Sequence, residues 1–240
     1  GELVEVASSK DKNFTYIPKE FQIPKDADYF HCTSNNTIFG TQIKEFPEYD
    51  GITVCDMSSD IFSRQLDFSK FDLIYAGAQK NMGPAGTTLV VIKEDILGNV
   101  ERVIPSMLSY KTHLDKDSMF NTPSVFAIYV SMLTLQWLKD LGGIPFIEKV
   151  NQQKADLLYV EIDRNPLFKG FAAKEDRSTM NATFTLKDQS LTATFDTMCT
   201  KAGINGINGH RSVGGYRASM YNALPLYSVQ ALVDVMQALE

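Results

Sequence analysis

The feature that most constrains this chain is a segment of small residues between two apolar runs. The runs at residues 71–75 and 87–92 are short, apolar and typical of buried strands. Between them, residues 76–86 are rich in glycine and alanine and contain Lys80. Small residues let the backbone approach a side chain closely. A lysine that attacks a carbonyl must be held, partly desolvated and able to lose its proton, so we expect Lys80 to be such a lysine.

Other short apolar runs indicate what kind of sheet surrounds Lys80. Runs at 28–32 and 52–55 precede the one at 71–75, and residues 57–70 are long enough to cross between two parallel strands. Weaker strand patterns occur at 3–7 and 41–46. Strands that alternate with crossovers predict an α/β fold with a mainly parallel sheet. Ligands bind beyond the carboxyl ends of such strands, where both Asp56 and Lys80 lie.

The second half of the chain changes in pattern. Helical periodicity starts after Thr122, a good N-cap, and Pro123, a good first residue, and a glycine pair at 142–143 ends it. A second helix is predicted at 145–163. The remaining predicted elements are strands at 180–186 and 217–221 and helices at 191–202 and 227–239. We therefore predict a large domain over residues 1–148 and a smaller α+β domain over residues 149–240.

Composition excludes several classes of function. The 240 residues are 44% hydrophobic and carry a net charge of -6, so nucleic acid and anionic membranes are poor partners. No apolar run approaches the ~20 residues of a membrane span. The three cysteines form no CxxC pair, which favours a reducing, cytoplasmic location. His31 and His113 lack metal-ligand spacing, so no metal is expected.

Asp56 and Lys80 together suggest a cofactor. Pyridoxal phosphate needs a lysine for its aldehyde and a carboxylate that keeps its ring nitrogen protonated. Two neighbouring strand ends joined by one crossover would place the two side chains about a ring's width apart. We therefore predict a Schiff base between pyridoxal phosphate and Lys80. Spacing alone leaves open the alternative of a solvated surface ion pair.

Two further segments could bind anions. Residues 209–219 place His210, Arg211 and Arg217 around a glycine pair in an otherwise acidic chain. Arginine makes forked contacts with carboxylates and phosphates, and glycine lets the backbone approach a ligand. The alternative is an exposed turn with solvated charges. Asn121 and Thr122 precede a predicted helix, whose N-terminus could bind a phosphate or could simply be capped.

These segments closely resemble motifs of the phosphoserine aminotransferase family in their order, their spacing and their residues. The matching motifs are Asp56-Met57-Ser58-Ser59, Ala76-Gly77-Ala78-Gln79-Lys80-Asn81, Met119-Phe120-Asn121-Thr122-Pro123 and Gly209-His210-Arg211-Ser212-Val213-Gly214-Gly215-Tyr216-Arg217-Ala218-Ser219. The resemblance implies part of a class-V, fold-type-I pyridoxal-phosphate enzyme that works as a homodimer with shared active sites. It implies a large domain with a mainly parallel sheet, followed by a smaller α+β domain.

The resemblance also implies a reaction. An amino group would pass between glutamate and 3-phosphohydroxypyruvate, giving 2-oxoglutarate and phosphoserine for serine biosynthesis. In many bacteria the family also acts on a phosphorylated hydroxythreonine in vitamin B6 biosynthesis. A lyase or desulfurase of the same fold type is disfavoured, because no segment resembles an exposed catalytic cysteine loop and because the two arginines suit a doubly anionic substrate.

Carried over position by position, four residues would serve the cofactor within one subunit. Lys80 would be the Schiff-base lysine and the carrier of the proton between cofactor carbons. Asp56 would pair with the pyridine nitrogen. Thr37 would hydrogen-bond the ring near its phenolic oxygen, and Gln79 would contact the phosphate.

Five other residues would contact the partner's cofactor or the substrate. Asn121 and Thr122 would reach the cofactor phosphate of the partner subunit. His210 and Arg211 would hold the substrate phosphate, and Arg217 would bind the α-carboxylate.

The chain departs from the family pattern at its N-terminal end. Family members are about half as long again, and the chain lacks their N-terminal third. That part supplies a glycine-rich grip on the cofactor phosphate, an aromatic residue stacked on the ring and several strands. The alternative interpretation is therefore a catalytically incomplete fragment that serves only as a structural or dimerisation piece.

Overall fold

The computed structural model describes residues 1–98 and 100–240. In the first part of the chain the strands and helices are β1 (Phe30–Thr33), β2 (Asn35–Asn36), β3 (Thr41–Gln42), β4 (Thr53–Asp56), β5 (Leu73–Gly77), β6 (Thr88–Ile92), α1 (Tyr110–Leu114), α2 (Val125–Asp140) and α3 (Gly143–Arg164). They are followed by β7 (Phe168–Gly170), β8 (Asn181–Leu186), α4 (Thr192–Lys201), β9 (Tyr216–Ser219) and α5 (Leu226–Leu239). Short 3-10 helices lie at Lys10–Lys12, Phe68–Lys70, Glu94–Ile96, Ser106–Leu108, Lys174–Asp176 and Gln189–Leu191.

The first sheet has the strand order β1-β4-β5-β6. Strands β1, β4 and β5 are parallel, which confirms the prediction of a mainly parallel sheet. β6 is antiparallel to β5, because residues 78–87 are too few for a crossover to a parallel strand. Thr33, Asp56 and Tyr75 lie side by side in register at one edge of this sheet. The ends of β4 and β5 therefore meet at the edge where the sequence placed a site.

Apolar side chains hold the ends of these strands in place. The buried cluster consists of Cys55, Met57, Ile61, Phe71, Ile74, Ala76, Ala78 and Met82. Its members come both from the strands and from the segments that follow them. Burying side chains on both sides of Lys80 removes apolar surface from water and fixes the path of the backbone there.

The second sheet, β7-β8-β9, is antiparallel, and α3 and α5 pack with each other on its side of the molecule. Its core includes Leu158 and Ile162 of α3 and Met236 of α5. Aromatic rings add to this core, since Phe195 lies edge-on to Tyr216 with ring centroids 4.8 Å apart. This core fixes β9, which carries Arg217.

The division into domains at residues 148 and 149 stays a prediction. Helix α3 runs continuously across that position, packing with α2 in its first part and with β7 and β8 farther along. The four-stranded and three-stranded sheets nevertheless have separate buried apolar clusters, and α3 contributes residues to the second of them. None of the helices in the described part of the chain is long and apolar enough to cross a membrane.

Several sequence predictions were wrong in detail. Residues 3–7 form no strand, because they pair with no other strand among the described residues. Strand β3 ends at Gln42 rather than at residue 46. The next carbonyl, that of Ile43, accepts a hydrogen bond from the Arg64 side chain rather than from the backbone of a neighbouring strand. Helix α2 begins later than predicted, with Ser124 rather than Thr122 at its N-cap position.

The other predicted elements of the second half were confirmed to within a few residues, while two short strands escaped detection. The confirmed elements are α3, α4, α5, β8 and β9. The missed strands β2 and β7 are only two and three residues long, which is too short for hydrophobic alternation to be visible.

Candidate active site

Lys80 lies in the turn that follows β5. Its Nζ donates a hydrogen bond to Thr37 Oγ1 at 2.6 Å, and the side chain is half-buried. The turn packs tightly on α2, because a Cβ added at Gly83 would lie 2.6 Å from Ser131 Oγ. Burial lowers the pKa of Lys80 below its usual value; nearby Asp56 raises it and nearby Arg217 lowers it further. The lysine is thus held and partly desolvated, as the sequence predicted.

Asp56 is the last residue of β4 and lies next to the end of β5. Its Oδ1 accepts a hydrogen bond from the Ser58 backbone at 2.8 Å. Ser58 Oγ in turn accepts one from the Gly77 backbone at 3.1 Å. This serine therefore joins the ends of β4 and β5, and the carboxylate of Asp56 is fixed within electrostatic reach of Lys80. Sequence reasoning missed Ser58, although an Asp two residues before a Ser is a common local turn pattern.

Arg217 brings the second sheet to the same place. It lies on β9, where its backbone donates to Ile207 O at 2.7 Å. Its Nη1 donates a hydrogen bond to Thr37 O at 3.4 Å, so Thr37 contacts both Arg217 and Lys80. The Nε of Arg217 is buried and has no hydrogen-bond partner among the described residues. Burying a donor without an acceptor costs free energy. An anionic ligand that accepts a hydrogen bond from this Nε would remove that cost.

Residues 209–215, here called the phosphate loop after the role that the family resemblance implies for His210 and Arg211, are held mainly by their own backbone. Two backbone amides of the loop donate to the carbonyl of His210, including the amide of Gly214 at 2.8 Å. His210 Nδ1 lies 2.7 Å from Ser212 Oγ and 3.3 Å from the Ser212 amide nitrogen, so Ser212 holds the imidazole ring against the loop. Gly214 and Gly215 have φ values of 74° and 61°, and a Cβ at Gly215 would lie 2.6 Å from Phe184 O. The loop therefore needs these glycines.

The remaining predicted site residues are exposed. Arg211, Gln79, Asn121 and Thr122 all have solvent-accessible side chains. Gln79 folds back over Gly77, and Asn121 Nδ2 donates to Thr122 O at 3.2 Å. No hydrogen bond within the described ranges joins any of these four residues to Lys80. The structure thus brings together Lys80, Asp56, Thr37 and Arg217 and leaves the others at the periphery.

The cysteines show no sign of catalytic activation. Cys32 and Cys55 lie with their sulfurs 3.7 Å apart, and the contact with Cys32, followed by burial, raises the pKa of Cys55. A thiol with a raised pKa is a poor nucleophile at neutral pH. No cluster of three or more side chains suited to a metal ion occurs in the part of the chain that the structure describes.

Comparison with known proteins agrees with this geometry. Residues 2–232 match the family model Aminotransferase class-V. The phosphoserine aminotransferase of Flavobacterium johnsoniae is 71% identical over 240 residues, covering all of this chain and 67% of the relative. The chain belongs to the phosphoserine aminotransferase family. It spans about two thirds of the length of the curated relatives that it matches.

Solved structures of phosphoserine aminotransferases have the same fold. The enzyme from Bacillus circulans subsp. alkalophilus superposes with a TM-score of 0.96 at 42% identity, covering 100% of this chain and 67% of the other. A pyridoxal-phosphate-bound enzyme from Trichomonas vaginalis gives a TM-score of 0.88 at 36% identity, covering 94% of this chain and 65% of the other. The fold predicted from the sequence, part of a class-V, fold-type-I enzyme, is therefore confirmed.

Phosphoserine aminotransferases are transaminases that depend on pyridoxal phosphate, and the residues present here fit that cofactor. Lys80 offers a partly desolvated amine whose pKa is already lowered. Asp56 offers a carboxylate at the neighbouring strand end. The unpartnered Nε of Arg217 marks a place for an anionic group beside them.

Proposed function

We propose that this chain carries the reacting centre of a phosphoserine:2-oxoglutarate aminotransferase that acts in serine biosynthesis. The enzyme would move an amino group between glutamate and 3-phosphohydroxypyruvate, giving 2-oxoglutarate and phosphoserine. The observation that carries the proposal is the half-buried Lys80, which shares its surroundings with Asp56, Thr37 and Arg217. Family membership supports the reaction type, and the site chemistry supports the substrate class.

In this proposal Lys80 would supply the amine that holds pyridoxal phosphate through its aldehyde as a Schiff base. Its lowered pKa increases the fraction of free amine near neutral pH, which a nucleophilic lysine needs. Asp56 would pair with the protonated pyridine nitrogen, Thr37 would bind near the phenolic oxygen, and Gln79 would contact the phosphate. When bound, the cofactor supplies an electron sink for charge that develops at the substrate's α-carbon.

Lys80 has a second task, which is to move a proton. As a free amine, Lys80 would accept the proton from the substrate's α-carbon and hold it on Nζ. Thr37 Oγ1, 2.6 Å from Nζ, orients the amine toward the substrate. Burial, helped by the closeness of Arg217, lowers the pKa of Lys80 despite the opposing effect of Asp56, which favours the neutral, basic form of the amine.

The substrate has two anionic ends, and the chain offers two cationic places for them. Arg217 would bind the α-carboxylate by a forked contact, giving its buried Nε an acceptor. His210 and Arg211 of the phosphate loop would hold the phosphate. This division explains how a chain with a net charge of -6 can take a strongly anionic substrate. The phosphorylated hydroxythreonine of vitamin B6 biosynthesis carries the same two groups and would fit the same places.

We also propose that the enzyme is a homodimer in the cytoplasm. Asn121 and Thr122 share no contact with Lys80 and would instead reach the cofactor phosphate in the partner subunit. Large apolar side chains around them are exposed, including Met119, Phe120, Phe126, Tyr129 and Met132. Such a continuous apolar surface is typical of a protein–protein interface.

The test is covalent trapping combined with an assay of amino transfer. The purified chain is incubated with pyridoxal phosphate, reduced with borohydride and digested, and the modified lysine is located by mass spectrometry. We expect the adduct on Lys80, together with transfer from glutamate to 3-phosphohydroxypyruvate. An adduct on other lysines only would overturn the assignment. An adduct on Lys80 without transfer would favour the alternative, a catalytically incomplete piece of the enzyme.

A further inference from the structure

Asn81, the residue after Lys80, is buried and joins three segments of the chain. Its Oδ1 accepts a hydrogen bond from the backbone of Asn222 at 2.9 Å. Its Nδ2 donates to the carbonyl of Ile61 at 2.9 Å. A short polar side chain with both ends satisfied inside the protein fixes its own backbone closely. The position of Lys80 is therefore tied to the segment around Asn222.

The side chain of Asn222 extends this connection. Its Nδ2 donates to the carbonyl of Phe62 at 3.0 Å, and its Oδ1 accepts from Asn151 Nδ2 at 2.8 Å. Asn151, on α3, also donates to Ser63 O at 3.0 Å. The three buried side chains Asn81, Asn151 and Asn222, here called the asparagine network, thus link the first sheet, α3 and the turn that follows β9.

A fully buried lysine holds that turn. Lys154 Nζ donates to the carbonyls of Met220, Tyr221 and Leu224 at 3.0, 2.9 and 3.1 Å. Three charge-assisted bonds from one group leave the turn little freedom. Because the turn directly continues β9, its position also sets the position of Arg217.

We propose that Asn81 and Asn222 are positioning residues, which fix the separation of Lys80 and Arg217 by joining the segment after β5 to the turn after β9. The proposal rests on the proposed function for its catalytic meaning. Lys80 follows a strand of the first sheet and Arg217 lies on a strand of the second, and among the described residues Thr37 hydrogen-bonds to both. Thr37 is half-buried, whereas the side chains of the asparagine network are buried, so we expect the network to be the more rigid of the two connections. A displacement of about 1 Å can cost on the order of 100-fold in rate.

The test compares Asn81→Ala with Asn165→Ala as a matched control. Asn165 is also a buried asparagine with satisfied hydrogen bonds, to Glu161 Oε1 and the carbonyl of Met236, but it has no contact with Lys80 or its neighbours. Thermal unfolding verifies that both variants fold. The two should lose similar stability, so a difference between them reports on position rather than on folding.

The main readout is the pKa of Lys80, measured without cofactor from the pH dependence of its acetylation by mass spectrometry. The groups that face Lys80 are Asp56, Arg217 and Thr37. Loss of the asparagine link should let Arg217 and the surrounding protein move away, so the pKa of Lys80 should rise in Asn81→Ala and stay unchanged in Asn165→Ala. In the active enzyme kcat/KM should fall on the order of 100-fold in Asn81→Ala alone, with kcat carrying most of the loss.

If Asn81→Ala does not fold, Asn222→Ala tests the same link from the other side. If neither folds, hydrogen exchange of the unaltered protein decides. The amide of Asn222 should then be protected as well as that of Arg217, which donates to Ile207 O. An unchanged Lys80 pKa in a folded variant, an equal change in Asn165→Ala, or rapid exchange at Asn222 would each overturn the proposal. Because acetylation needs no cofactor, a failure of the proposed function shows separately, as absence of the Lys80 adduct in the trapping experiment.

Discussion

Two parts of the candidate site are held in very different ways. Asp56 ends β4, Lys80 follows β5, and Arg217 lies on β9. Hydrogen bonds and buried side chains connect these places to one another, so the three residues are here called the fixed part. The phosphate loop, in contrast, bonds mainly to itself, and Arg211 within it is exposed. The fixed part contains the groups proposed to react, and the loop contains the groups proposed to recognise the phosphate.

The difference shows which parts of the function this chain can prepare by itself. Reacting groups gain most from being fixed before the substrate arrives, since preorganisation lowers the entropic cost of the chemical step. A phosphate, which is a strongly charged and symmetric group, can order a loop when it binds. We therefore expect changes in the fixed part to affect every substrate and changes in the loop to affect phosphorylated substrates selectively.

The largest effect is expected from Lys80→Ala. Removing the amine removes both the covalent attachment of the cofactor and the proton carrier, so amino transfer should fall by on the order of 10⁴-fold or more. Borohydride trapping should show no adduct on the peptide that spans residue 80. Lys44→Ala is the control, because burial also lowers the pKa of Lys44, to about 8, at a place away from the site. Equal losses in the two variants would show that a low pKa, rather than location, decides reactivity.

Arg217→Ala should weaken all amino-acid substrates. The variant loses the forked contact proposed for the α-carboxylate, so kcat/KM for glutamate and for phosphoserine should both fall on the order of 100-fold. Steady-state kinetics with the two substrates measures the effect. Arg217→Lys keeps the charge but not the fork, so it should recover only part of the loss. A loss confined to phosphoserine would contradict the assignment and move Arg217 to the phosphate.

Arg211→Ala should have a smaller and selective effect. An exposed arginine on an adaptable loop contributes on the order of tenfold to phosphate binding, and nothing to a substrate without a phosphate. The KM for phosphoserine should rise about tenfold, while the KM for glutamate stays the same. Equal losses for both substrates would remove the contrast between the loop and the fixed part.

The sequence predicted the fixed part better than the rest, for a physical reason. Lys80 and Asp56 follow short buried strands, whose apolar runs are visible along the chain. The carboxyl ends of parallel strands necessarily meet at one edge, so the closeness of these two residues followed from the pattern alone. The nearness of Arg217 did not follow in this way, since it depends on how the second sheet packs against the first.

The asparagine network could not have been found from sequence. Asn151 lies within a helix and Asn222 in a turn, where asparagine is ordinarily solvated or bonds to its own backbone. Only the packing of α3 against the turn after β9 buries both side chains and lets them meet Asn81. The predicted N-cap of α2 was wrong because the Ile128 amide donates to the carbonyl of Ser124, so the helix starts after Ser124 rather than after Thr122.

The smallest effect is expected at Lys154, whose three hydrogen bonds to the turn after β9 are here called the clamp. Burial lowers the pKa of Lys154 to about 8, from 10.5. Between these two values the unfolded chain binds a proton that the folded chain does not, so this lysine makes the folded state more stable as pH rises from 8 to 10.5. The free energy of unfolding should therefore increase relative to that of Lys154→Met over this window, as measured by urea denaturation at several pH values.

Lys149→Met, at an exposed position on the same helix, controls for removal of a charge. The expectation would be contradicted if the free energy of unfolding of the unaltered protein did not rise relative to that of Lys154→Met as the pH increases. That outcome would mean that the three carbonyls that Lys154 contacts favour its charged form more strongly than burial opposes it, because a neutral amine has only two protons to donate to three acceptors. The clamp would then keep its charge over this window, and the turn that positions Arg217 would keep all three bonds.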